Sequence, residues 1–167
     1  MPESNTRHYQ QGSGDALYRR SMYSFWKRFA PPPSMETFDA QARQVVCVRR
    51  ARTNTPLQAL VSMNDPQFVE AARKLAERTV MHGSDATMRL QFLSDIVLAR
   101  SLSAGEVAEF VKGLELYSRY YIDHIQDAKD LLATGAAPAL ASLDPIEVAS
   151  WTMVANQFLN LDETLTK

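Results

Sequence analysis

The sequence predicts a mainly α fold: an irregular basic and aromatic N-terminal third, with room for one short strand pair, packed on a bundle of about six helices. Three observations carry this. From residue 55 onward, Thr-Pro, Asp-Pro and Ser-x-x-Glu helix starts recur. Between them, apolar residues repeat at spacings of three and four, the period of a helix face. Finally, the first 60 residues hold nine Lys and Arg against four Asp and Glu, while residues 61–167 hold nine against fifteen.

Residues 1–15 are polar, with a Gln-Gln-Gly-Ser-Gly-Asp run, and read as a flexible segment. Residues 16–167 read as one domain. In 17–29, Tyr18, Met22, Phe25, Trp26 and Phe29 fit a helical stripe, but the same aromatics suit an extended edge, and both readings stand. Cations between the aromatics fit a packed face with snorkelling side chains better than a nucleic-acid surface. Pro31, Pro32 and Pro33 stop this segment as polyproline II. Residues 34–48 follow as loop, with a short strand near Val45 to Val48.

Thr55 is a helix N-cap and Pro56 suits the first helical position, so a short helix runs to about Met63. Asp65-Pro66 repeats the device for a longer helix to about Met81. That helix buries Phe68, Val69, Ala72, Leu75, Ala76 and Val80, and His82-Gly83 ends it. Ser84 caps a third helix with Met88, Phe92, Leu93, Ile96 and Val97 as its apolar face. Ser103 and Glu106 form a capping box for a fourth that reaches Ile122. A fifth, over 126–134, stops at Gly135, and 136–143 is a loop. Asp144, Pro145 and Glu147 open the sixth, whose face is Val148, Trp151, Thr152, Ala155, Phe158 and Leu159. The tail from Asn160 reads as polar.

Composition removes several classes of function. Cys47 is the only cysteine, so no intramolecular disulfide and no Cys-x-x-Cys-His haem attachment can form. Between two valines it reads as a small buried hydrophobe. His8, His82 and His124 share no metal-ligand spacing, so neither metal nor haem is expected in this segment. No apolar run approaches the ~20 residues of a membrane span, and the first residues carry no signal peptide. No nucleophile elbow or phosphate loop is completed, and whether the chain is an enzyme is left open.

One stretch asks for a function. Arg49, Arg50 and Arg52 run into Asn54, and Gln58 follows in the first helical turn. Guanidinium forks suit carboxylate, sulfate or phosphate, a helix N-terminus adds donors, and the amides suit sugars. Asp39 joins this candidate set as an acid. The structural reading is equally physical: the arginines pair with Asp39 and helix acids, while Asn54 and Thr55 satisfy backbone groups at the turn. The basic surplus of the first 60 residues is only five, so nucleic acid is disfavoured as a partner.

The runs LYRRSMYSFWKR, PPPSMETFDA, VRRARTNTPLQAL and MNDPQFVEAARKLAER, with the closing WTMVANQFLNLDE, resemble one family over about residues 9–167. It is planctomycete-specific domain 1, the domain of unknown function 1553. The resemblance implies that this is the C-terminal part of a larger multidomain protein, secreted or periplasmic, with a haem c domain upstream of this segment and upstream domains of the same chain as partners. It implies no activity and no catalytic residues. Two functions follow as expectations: a helical packing or interaction domain, or part of a carbohydrate-acting, haem-coupled oxidoreductase whose arginine-rich turn binds anions or polysaccharide.

Overall fold

A computed structural model describes residues 8–24, 26, 30–41, 46–49 and 53–166, and the chain divides into two compact units at residues 61 and 62. The described residues are mainly helical, with eight α-helices and no strand.

The first unit contains two 3₁₀ turns, Gly14–Tyr18 and Ser21–Tyr23, then α1 (Pro33–Thr37) and the start of α2 (Pro56–Asn64). Of the two readings left open over 17–29, neither a continuous helical stripe nor a strand forms where described; short turns take their place, with Arg19 and Arg20 at extended ψ angles of 147° and 141° between them. Tyr18 and Met22 are exposed, and Phe25 and Phe29 lie outside the described residues. Pro33 opens α1 where loop was expected, since a proline in the first helical position forfeits no hydrogen bond. No strand forms over 46–48. Val46 and Val48 are almost fully exposed, and Cys47, a free cysteine, is exposed as well, against its expected burial. Apolar neighbours in sequence do not bury a thiol unless another element covers them.

The second unit is built from α3 (Pro66–His82), α4 (Ala86–Val97), α5 (Ala104–Asp123), α6 (Ile125–Leu132), α7 (Pro145–Leu159) and α8 (Asp162–Leu165). The starts are local. Asp65 accepts from the Gln67 N–H at 2.9 Å, and Asp144 from the Glu147 N–H at 2.9 Å. At α5 the Ser103 N–H donates to Glu106 Oε2 at 2.7 Å while the Glu106 N–H donates to Ser103 Oγ at 3.3 Å, a complete capping box. The α4 cap is Asp85 rather than Ser84, its carboxylate taking the Met88 N–H at 3.1 Å. The polar tail adds one further short helix, α8.

Helix α7 is the axis of this unit. Val148, Ala149, Trp151, Val154, Ala155 and Phe158 are buried around most of its circumference, as expected for a helix largely enclosed by others. Ala72, Leu75, Ala76 and Val80 of α3, Leu90 and Leu93 of α4, and Ala128 and Leu132 of α6 complete the core. Phe110 of α5 stacks on Phe158 with ring centroids 4.3 Å apart. On α4 the buried face is Leu90 and Leu93, whereas Met88 and Ile96, expected inside, are exposed. No helix among the described residues is long and apolar enough to cross a membrane.

Candidate functional site

Asp39 and Gln58 are brought together by α1 and α2. Asp39 follows α1 with φ 57°, a left-handed conformation that aspartate tolerates better than most residues. Its Oδ2 accepts the Thr53 N–H at 2.8 Å, the Thr53 hydroxyl at 2.7 Å and a Gln58 Nε2 hydrogen at 3.4 Å. Gln58 is only 2% exposed. Its Nε2 also donates to Thr37 O at 2.9 Å and Thr53 Oγ1 at 3.0 Å. Its Oε1 accepts the Thr55 N–H at 3.0 Å while its own N–H donates to Thr55 Oγ1 at 3.3 Å. Thr55 and Gln58 are thus a reciprocal capping box. Arg49 is exposed, with its carbonyl oxygen accepting from the Cys47 thiol at 3.0 Å, and Asn54 is exposed. Arg50 and Arg52 lie outside the described residues.

A second polar cluster, in the other unit, has no counterpart in the sequence reading. Glu70, Arg73, Lys74 and Glu77 form one row along α3, and Glu70, Arg73 and Glu77 are buried. All four grip the backbone of residues 134–140. Glu70 Oε2 accepts the N–H groups of Ala136 and, at 3.1 Å, Ala137. Arg73 Nη2 donates to Ala137 O at 2.5 Å, and Lys74 Nζ to Pro138 O at 2.7 Å. Glu77 Oε1 accepts the Leu140 N–H at 3.1 Å, and its carboxylate pairs with both Arg73 and Lys74. The row contains two acids and two bases, so its charges cancel within the fold. Alternating signs at spacings of three and four were visible in the sequence, but on a helix this pattern equally describes a solvated face.

Two further clusters staple helix ends. Arg100 pairs with Glu106 at 2.7 Å and Glu163 at 2.9 Å, tying the start of α5 to α8. The Arg100 hydrogen bond, aided by the Ser103 N–H, holds the Glu106 carboxyl down at about 2. Where α5 meets α6, the Tyr120 hydroxyl donates to Asp127 at 2.5 Å, which pushes the phenol up, and His124 stacks on the Tyr120 ring. No group of three His, Cys, Asp or Glu among the described residues is placed to hold a metal ion.

A family model described as PSD1, protein of unknown function (DUF1553), matches residues 1–114. The chain belongs to this family. The PSD1 match takes in the candidate stretch, the charged row of α3, all of α4 and the first half of α5. It ends before α6, Gly135 and α7, so the closing WTMVANQFLNLDE run lies outside the matched residues. No curated protein and no solved structure matches the chain.

Proposed function

We propose that this PSD1 chain is an interaction domain that packs against other domains of a longer polypeptide. The observation that carries this is the inverted face of α2. Gln58 and Ser62 are buried at 2% and 1% exposure, while Leu57, Leu60 and Met63 are 57%, 59% and 48% exposed. Residues three apart are neighbours on a helix surface, so the three apolar side chains make one stripe. Covering a leucine fully is worth about 1.5–3 kcal/mol, a gain this helix leaves unused. A haem c domain upstream and a secreted or periplasmic address belong to the same proposal and rest on the family resemblance.

The test compares the 167-residue chain with the longer natural polypeptide, both carrying Cys47→Ser and Leu60→Cys. Maleimide labelling of residue 60 should be at least about tenfold slower in the longer protein. Equal rates in the two would overturn the reading.

A second reading places an anionic polysaccharide at Arg49 and Asn54, and is favoured by their shared exposure. Binding of a sulfated polysaccharide that survives Arg49→Ala unchanged would count against that site.

A further inference from the structure

The second unit contains a cleft of about 390 Å³ between the start of α4, the middle of α5 and the first two turns of α7. This volume falls within the ~300–1,000 Å³ of ordinary ligand pockets. Its charged groups are committed to one another. Arg89, 8% exposed, donates from Nη1 to Glu147 Oε1 at 2.6 Å, from Nε to Gly83 O at 2.6 Å and from Nη2 to Val80 O at 3.1 Å. Its guanidinium lies 5.6 Å from the centroid of the Trp151 ring. Asp144 Oδ2 takes the Glu147 N–H as the α7 cap.

Trp151 is different. The residue is 2% exposed and uncharged, and it lines the cleft beside Arg89. Ser84 and Ser118 add hydroxyls to the wall.

We propose that this cleft binds a small neutral molecule bearing several hydroxyl groups, of monosaccharide size. An anion entering here meets Glu147 and Asp144, and a cation meets Arg89. Either would have to break a short ion pair with one partner buried. A hydroxyl group can both accept from the serine hydroxyls of the wall and donate to the carboxylates, so it bonds in the cleft without disturbing that pair. This inference concerns a different surface from the α2 stripe and stands or falls separately.

The experiment follows indole N–H cross-peaks in ¹⁵N-labelled full chain, with Trp26→Phe identifying which of the two belongs to Trp151. D-glucose and myo-inositol are the probes; acetate and methylammonium are the controls. The Trp151 peak should shift saturably with glucose or inositol, with no such response to the two ions. Filling the wall by Ser118→Leu should weaken binding about tenfold or more. If that variant alters the spectrum at large, Ser84→Leu, at the exposed mouth, replaces it. The proposal is overturned if neither polyol moves the peak saturably, if either ion does, or if binding is indifferent to the folded cleft-filling variant.

Discussion

A Cβ placed on Gly135 would collide with Glu70, lying 2.7 Å from its Cβ and 2.8 Å from its Cδ. The same glycine has φ 97°, which side-chain-bearing residues rarely adopt. Steric room and backbone conformation therefore demand glycine independently. Gly135→Ala should cost about 1–3 kcal/mol from the backbone alone, with the collision adding to it. The midpoint of urea unfolding reads this, and an unchanged midpoint would contradict the packing of 134–140 on α3. In the double variant with Glu70→Ala the losses should be less than additive, because the contacts with the Glu70 carboxyl group are removed and only that with its Cβ remains.

Arg73 is fully buried and serves the same loop. Arg73→Leu removes donors from the carbonyls of Thr134 and Ala137 and one partner of Glu77. Breaking a buried pair costs roughly 3–5 kcal/mol. Part of that is offset because Arg73 Nε has no partner among the described residues, an existing penalty of about 1–3 kcal/mol that leucine does not carry. A net loss of about 1–3 kcal/mol is expected by chemical denaturation, and a neutral variant would show the row to be dispensable.

Gln58 should behave as a cap. Gln58→Ala removes one half of the box with Thr55 and the bond to Thr37 O, at about 1–2 kcal/mol. For a chain of this length each kcal/mol lowers Tm by about 2–4 °C. Thr55→Ala should lower it by a similar amount, with the double variant less than additive. Full additivity would separate the two side chains.

The Glu106 carboxyl, held at about 2 instead of its ordinary 4.5, contributes stability only when ionised. That contribution is complete above the ordinary value and disappears as pH falls from 4.5 towards 2. Glu106→Gln should flatten the fall of Tm in this interval and lower Tm at neutral pH. Because the pair with Arg100 is exposed, added salt should shrink the difference. Parallel pH profiles for the two proteins would refute the assignment.

Cys47 should react with iodoacetamide in the native protein at nearly its rate in urea, as an exposed thiol. Cys47→Ser should change stability by less than about 0.5 kcal/mol. Protection from alkylation would restore the buried reading.

The helix starts were legible because their chemistry is short-ranged. Asp65 to Gln67, Ser103 to Glu106 and Asp144 to Glu147 are bonds across two or three residues, and proline fixes φ wherever it stands. Asp39 and Gln58 were also singled out, but their meeting depends on a Thr53 bridge and on the reversal after α1. The α3 row was missed for the opposite reason. Its partners lie 61 to 67 residues away and are backbone groups, which no residue type announces. Cys47 was misread because burial is a property of what covers a segment.

The sequence alone therefore determined the helical class and the ends of most helices, through hydrogen bonds and steric limits confined to one turn. The tertiary structure decided which way the helices face. It placed Gln58 inside and Leu57 and Leu60 outside on α2, and it buried Glu70, Arg73 and Glu77 on α3. The physical reason is that a buried polar side chain is stable only where its partners are supplied, and here distant segments or the chain's own backbone supply them.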